Sequence, residues 1–296
     1  MKLAIHYTPQ CAELLRQGQV EIDYFKCPSW PEVIREARQI RPAYVHFPLR
    51  VGGGLKIALD TETRQPVDWG KIDQLLAESD TPYVNLHLNI LKADYPALPD
   101  NTIQNDLVVE NVLKDIEAVA ARYGHERVII ENDHAFGGAY LPITYQVDFI
   151  RQVVEGSRCG FLLDLAHARL AASYLGIDTH DYIQALPTRV LREIHVSGVQ
   201  MISDAWVAEV QAKLQNTDVS PQIAEGYRGR LLDHQPMTGE DWSLLDWALG
   251  QIRMGNWAEP WMIGCEYSGV GALWQAVTDV AVLQQQIPLL WQRVRI

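Results

Sequence analysis

The sequence lacks any run of apolar residues long enough to cross a bilayer, and its opening, Met1-Lys2-Leu3-Ala4-Ile5-His6, turns polar too early for a signal peptide. Only four of its 296 residues are cysteine, and no two of them have a Cys-x-x-Cys spacing. Neither a zinc ribbon nor a disulfide scaffold is therefore indicated. These absences disfavour membrane and disulfide-rich secreted proteins, and we expect a cytoplasmic protein.

Positively charged residues are also fewer than negatively charged ones. The chain has 25 Lys and Arg against 37 Asp and Glu, which makes its formal net charge −12. This balance opposes long-range attraction to a phosphate backbone. The composition, 48% hydrophobic and 21% charged, is typical of soluble globular proteins. Nucleic acid is therefore an unlikely partner, no membrane partner is expected, and the sequence does not define an oligomeric state.

Three familiar motifs are missing as well. There is no Gly-x-Ser-x-Gly elbow and no Gly-x-x-x-x-Gly-Lys-Ser/Thr loop. The glycines at 52–54 and 269–271 lack the Gly-x-Gly-x-x-Gly spacing after a strand. These absences disfavour a serine hydrolase, a P-loop enzyme and a dinucleotide-binding fold.

What the sequence does contain is a series of short apolar runs that each end in His, Glu or Asp. Such runs suit parallel strands buried on both faces, where an ionisable side chain is costly unless it is paired or bound to metal. The endings are His6, His46, His87, Glu131, Asp164, His195 and Glu266. Their recurrence at equivalent positions indicates one shared site.

Helical stretches alternate with these runs from one end of the chain to the other. We predict strands near residues 3–7, 21–25, 43–47, 83–88, 127–131, 160–164, 192–196 and 262–266. Eight strand–helix units predict an α/β protein, a single (β/α)₈ TIM-barrel domain over residues 1–296 with its active site at the carboxyl ends of the strands. Residues 201–232, between strands seven and eight, predict an elaborated loop or lid with a helical part around 205–214.

Imidazole and carboxylate groups gathered from different strands can bind Zn, Mn or Fe without thiolates. We expect a principal ion to be held by Glu131, Asp164, His195 and Glu266. We expect one or two further ions to be held by His46, His87, His167, Asp233 and His234. The candidate catalytic residues are Glu131, His195 and Glu266. His6 is equally suited to bind metal, to support a ligand or to sit in the core, and most of His125, His134 and His180 are expected in solvent.

The ordered ligand series resembles the xylose-isomerase-like TIM-barrel superfamily, which includes sugar isomerases, epimerases and the endonuclease IV type of phosphodiesterase. The second half is similar to the multinuclear non-heme iron-dependent oxidative enzymes (MNIO). This similarity lies in residues 161–164, 176–178, 182–187 and 193–198, followed by Asp233-His234, Glu240, Trp242 and residues 247–249. It implies iron and oxygen acting on cysteine residues of ribosomally made peptides.

Three segments differ from the usual MNIO pattern. The family's longer His-Asp-rich segment before a proline is reduced here to Leu231-Leu232-Asp233-His234-Gln235-Pro236. Asp164-Leu165-Ala166-His167 stands where that family carries Asp followed by two asparagines, and it resembles the Asp-x-x-His of the epimerase and endonuclease branches. Glu266-Tyr267-Ser268 stands where the family carries Glu-Trp-Asp. The alternatives to an oxidative enzyme are therefore a one-metal sugar isomerase or epimerase, in which Glu131 and Glu266 exchange protons, a phosphodiesterase, and a barrel without catalytic activity.

Overall fold

The structure is a computed structural model that describes residues 1–61, 63–134 and 138–295. Eight strands form the barrel: β1 (Lys2–His6), β2 (Tyr24–Cys27), β3 (Ala43–Val45), β6 (Val84–His87), β7 (Val128–Glu131), β8 (Gly160–Asp164), β9 (Leu191–Val196) and β12 (Met262–Cys265). Four further strands are β4 (Leu49–Arg50), β5 (Leu59–Asp60), β10 (Gly198–Met201) and β11 (Leu231–Gln235). The helices are α1 (Pro9–Arg16), α2 (Pro31–Arg38), α3 (Trp69–Glu78), α4 (Asp106–Tyr123), α5 (Val147–Ser157), α6 (Leu165–Leu175), α7 (Thr179–Gln184), α8 (Asp204–Leu214), α9 (Gly239–Arg253), α10 (Ala272–Val277) and α11 (Val280–Arg295).

The main sheet is curled and has the order β3-β2-β1-β12-β9-β8-β7-β6-β4-β5. Its barrel strands pair in parallel, and the first and last of them lie side by side, with Lys2 opposite Met262 and Ile5 opposite Cys265. The short β4–β5 hairpin supplies the antiparallel pair at one end. The prediction of an α/β TIM barrel is confirmed, and its strand ends meet at one mouth.

Side chains bridge the junction between β3 and β6. Asn85 accepts from the Phe47 amide through Oδ1 at 2.6 Å and donates to the Phe47 carbonyl through Nδ2 at 3.0 Å. The Val45 amide donates to Thr81 Oγ1 at 2.8 Å. An amide side chain that imitates a strand's donor and acceptor satisfies buried main-chain groups at this seam. It also brings the ends of β3 and β6 together.

The second strand lies further along the chain than the pattern predicts. Residues 21–25 are predicted, and the strand is Tyr24–Cys27. Ile22 is buried and therefore looks like part of a strand, but Asp23 ends that segment by accepting from the Leu3 amide at 2.7 Å and from Arg295. The prediction for this strand was wrong by two to three residues. Because β2 runs from Tyr24 to Cys27, Lys26 lies within a barrel strand.

Between β9 and β12 the chain forms β10, α8, a 3₁₀ segment over Pro221–Tyr227, β11 and α9. Part of this insertion has an apolar cluster of its own: Ile202, Val207, Val210, Leu214, Ala224 and Leu232. The main chains of β10 and β11 approach closely at Gly198, which pairs with Gln235 and where a Cβ atom would lie 1.9 Å from the Pro236 carbonyl oxygen. The insertion therefore packs as an ordered wall beside the barrel mouth.

Among the described residues, no helix is both long and apolar enough to span a membrane.

Candidate metal centre

The first cluster at the mouth joins the ends of β3, β6 and β7. His46 Nε2 and His87 Nε2 lie 3.1 Å apart. Glu131 Oε2 lies 3.4 Å from His46 Nε2 and 3.1 Å from His87 Nε2. His46, Glu131 and His195 also form a group whose donor atoms all lie within 4.8 Å of one another. Four candidate ligand side chains, those of His46, His87, Glu131 and His195, thus lie close together.

The second cluster joins the ends of β8, β9 and β12 and consists of Asp164, His195 and Glu266. His195 Nδ1 lies 3.2 Å from Glu266 Oε1, 3.4 Å from Glu131 Oε1 and 4.0 Å from Asp164 Oδ2. The opposite ring nitrogen, Nε2, donates to Glu193 Oε1 at 2.8 Å. When the ring is neutral, this bond leaves the lone pair on Nδ1, which faces the three carboxylates.

The third cluster consists of His134, His167 and Asp233. His167 Nε2 lies 3.2 Å from Asp233 Oδ2 and 3.8 Å from Asp164 Oδ2. The sequence explains the last contact, because Asp164 caps α6: its Oδ1 accepts from the His167 amide at 2.7 Å and leaves Oδ2 for the site. Asp164 therefore connects the second and third clusters, as Glu131 connects the first and second.

Four histidines share one arrangement at the mouth, in which Nδ1 donates to a main-chain carbonyl. The acceptors are Ser268 O for His6 at 3.0 Å, Leu49 O for His87 at 3.1 Å, Asn132 O for His167 at 2.8 Å and Glu266 O for His234 at 2.7 Å. A carbonyl only accepts, so Nδ1 must hold the proton and a neutral ring has its lone pair on Nε2. This tautomer control is the support that metal-binding histidines usually receive.

Two buried atoms of the candidate ligands, Glu131 Oε2 and His195 Nδ1, make no hydrogen bond of acceptable geometry to the described part of the chain. Their near neighbours are other candidate ligands, since Glu131 Oε2 lies 3.1 Å from His87 Nε2 and His195 Nδ1 lies 3.2 Å from Glu266 Oε1. Both atoms belong to the groups that gather potential ligands. The residues present thus fit a bound cation, to which both atoms could bind.

The carboxylates of the site differ in how readily they ionise. Burial opposes ionisation of Glu131, but the positive charges of His87 and His46 hold its pKa well below the usual range. Burial likewise opposes ionisation of Glu266, and His195 and Lys26 hold its pKa low. Asp164 behaves differently, because burial raises its pKa to about 6.

The pKa values of the imidazoles are also shifted in different directions. Burial disfavours the charged form of His195, but the negative charge of Glu266 outweighs it and raises the pKa to about 10. Burial and the charge of Lys26 lower the pKa of His6 to about 3. Burial opposes the charged form of His167, yet Asp164 and Asp233 raise its pKa well above the usual range. The metal-free site therefore holds protons that a divalent cation would have to displace.

The clusters open into a cavity of about 490 Å³. Its wall includes Tyr140, Tyr227, Trp274 and seven of the nine candidate ligands: His46, His87, Glu131, His167, Asp233, His234 and Glu266. The ring centroid of Trp274 lies 4.9 Å from that of His234. A cavity of this size can take a small molecule or one or two side chains of a peptide.

All nine residues predicted to bind metal lie around this mouth, although their roles as ligands stay predictions. The structure adds three buried residues that the sequence patterns did not single out: Lys26, His134 and Glu193. Most of His125, His134 and His180 were expected in solvent, and His134 is the buried one of the three: it is 7% exposed and its ring centroid lies 4.6 Å from that of His167. His180 is exposed and His125 is partly exposed. The four cysteines are buried and free, as the spacing predicts.

The fold and the mouth together define a class: TIM-barrel proteins with groups of histidines and carboxylates at the carboxyl ends of their strands. Residues 30–216 match the family described as "RiPP precursor modification enzyme MbnB/TglH/ChrH". The chain belongs to this family. The MNIO resemblance is thereby confirmed, and the match begins earlier than the second half of the chain.

Known relatives share part of the sequence, and a solved structure shares the fold. A UPF0276 protein of Caulobacter vibrioides is 29% identical over 175 residues, which cover 56% of this chain and 57% of that protein. A UPF0276 protein of Pseudomonas aeruginosa is 39% identical over 72 residues, 24% of this chain and 25% of that protein. The chain thus spans little more than half the length of the first relative. A D-psicose 3-epimerase structure, determined in the presence of D-fructose, has a TM-score of 0.52, 12% identity and coverage of 99% of both chains, which supports the fold.

Proposed function

We propose that this protein is a metal-dependent enzyme that oxidatively modifies a ribosomally made peptide. The observation that carries the proposal is the buried set of imidazole and carboxylate atoms whose lone pairs converge on one cavity, with Nδ1 of four histidines held by main-chain carbonyls. Membership of a family of precursor-modifying enzymes supports the peptide substrate. Bound iron would supply redox chemistry and an open position for oxygen.

The predicted ligands remain the basis of the proposal. They are His46, His87, Glu131, Asp164, His167, His195, Asp233, His234 and Glu266. His134 joins them, because it shares a cluster with His167 and Asp233. We expect more than one divalent ion, with iron preferred over zinc and manganese, because the family similarity implies iron.

Three residues would act most directly in catalysis. Glu131, His195 and Glu266 are buried, and each is at most 4% exposed. Glu131 is positioned to bridge two clusters, and His195 keeps Nδ1 toward the carboxylates through its bond to Glu193. The aromatic residues Tyr140, Tyr227 and Trp274 would hold the peptide segment at the opening and limit the access of water.

We further propose that residues 1–296 act as one cytoplasmic domain. The main apolar cluster includes Leu3, residues of the central strands and Val294, so the two ends of the chain share one core. The net charge of −12 supports a peptide partner in preference to nucleic acid.

The experiment that tests this function is anaerobic purification followed by elemental analysis, an absorption spectrum and oxygen-uptake measurement with cysteine-containing precursor peptides. The proposal predicts two or more irons per chain and oxygen uptake that depends on the peptide. One manganese or cobalt would favour the isomerase or epimerase, and three zincs would favour the phosphodiesterase. Substoichiometric metal with no activity would favour the non-catalytic barrel.

A further inference from the structure

Lys26 is the one lysine that lines the described part of the cavity wall, and its place in the barrel is unusual for this residue type. It lies in β2 opposite His6 on one side and Tyr44 on the other. Its side chain is only 1% exposed, and Nζ donates to Glu266 Oε1. A buried ammonium is costly unless it is paired, so this contact ties Lys26 to Glu266.

The oxygen that accepts from Lys26, Glu266 Oε1, also faces His195 within the second cluster. Glu266 Oε1 lies 3.2 Å from His195 Nδ1, and both residues belong to the group with Asp164. The charge of Lys26 extends over neighbouring ligands, since it lowers the pKa of both His6 and His46 in addition to burial. The second cluster thus already contains a cation.

In the other two clusters the carboxylates are paired with histidines and not with a lysine. Glu131 is paired with His46 and His87, and Asp233 is paired with His167. The ammonium of Lys26 offers three donors and no lone pair. A divalent ion that binds Glu266 Oε1 would therefore have to displace this positive charge from the oxygen.

We propose that Lys26 is a built-in cation that makes the Asp164–His195–Glu266 cluster the weakest metal site of the cavity. This inference rests on the proposed metal-dependent function and concerns the order in which its sites fill. It reverses the expectation from sequence, in which Glu266 helps to hold the principal ion. Ions would fill the His46–Glu131–His195 and His134–His167–Asp233 clusters first. Lys26 is the residue that sets this order of filling.

The test is an anaerobic titration of the metal-free full chain with iron(II), followed by desalting and elemental analysis. Lys26→Met removes the charge, Lys26→Gln removes it but keeps a hydrogen-bonding group, and Lys26→Arg keeps it. Lys2→Met is the matched control, because Lys2 lies at the start of β1 and contacts Tyr24. Melting curves with and without iron(II) accompany each titration and identify any variant that does not fold.

We expect both neutral variants to retain one more iron per chain than the wild type, or to bind the weakest iron about tenfold more tightly. We expect Lys26→Arg and Lys2→Met to match the wild type. Equal iron content and affinity in all variants, or less iron in the neutral ones, would overturn the inference and leave the proposed function standing. No iron in any variant would overturn both, and iron in the neutral variants alone would support Lys26 as the internal cation while overturning the proposed function for the wild type.

Discussion

Glu193 gives the sharpest prediction about how the barrel orients a candidate ligand. Its Oε1 accepts from Tyr44 Oη at 2.7 Å and from His195 Nε2 at 2.8 Å, and all three side chains are buried. Replacing Glu193 by Ala leaves two buried donors without an acceptor. At about 1 to 3 kcal/mol for each, the free energy of unfolding of the metal-free protein should fall by about 2 to 6 kcal/mol.

Glu193→Gln separates the charge of this residue from its hydrogen bonds. The amide oxygen can take the place of Oε1 and accept from both Tyr44 and His195 Nε2. The negative charge that makes His195 a more basic ligand is lost. Loss of such support typically costs metal sites about 10- to 100-fold in affinity.

The assays are urea unfolding of the metal-free chain and anaerobic titration with iron(II). We expect Glu193→Gln to lose less stability than Glu193→Ala and at least about tenfold in affinity for iron. Glu209→Gln, a surface change in α8, is the control and should alter neither. Wild-type iron affinity in Glu193→Gln would refute the role of the Glu193 charge in supporting His195 as a ligand.

Two further predictions follow from the site and the wall beside it. Because the pKa of His195 is raised to about 10 and that of His167 lies well above its usual value, iron binding should release protons, and affinity should rise about tenfold or more per pH unit from pH 6 to 8. Calorimetry in buffers of different ionisation enthalpy measures this release, and a pH-independent affinity would contradict it. Gly198→Ala should destabilise the protein by about 2 kcal/mol or more in urea, since its Cβ would meet the Pro236 carbonyl, whereas Gly226→Ala has open space and should not. Equal midpoints for the two glycine variants would contradict the close approach.

The barrel itself was largely predictable from the sequence, because runs buried on both faces are nearly continuous in apolar residues. Seven such runs end in a residue that the structure places in the barrel mouth or beside it. The exception was β2, where the buried Ile22 imitated a strand residue. That error hid Lys26, since a lysine outside a predicted strand looks like an ordinary surface residue.

The partners of the candidate ligands were harder to predict. Glu193 stands two residues before His195 on the same strand, and a period of two would have placed both on one face. His134 follows β7 in a loop, and no periodic pattern reports whether a loop side chain turns inward. The carbonyls that hold Nδ1 of the histidines belong to the main chain and leave no trace in residue type.

We expect the clusters at the barrel mouth to bind metal. The most direct test is an anomalous difference map, collected at the iron absorption edge from crystals grown anaerobically with iron(II). We predict separate peaks beside Glu131 and beside Asp233, each within bonding distance of histidine nitrogens, and the peak beside Glu131 should vanish in Glu131→Ala. A map without a peak in the cavity, from crystals of a folded and iron-treated chain, would contradict the claim.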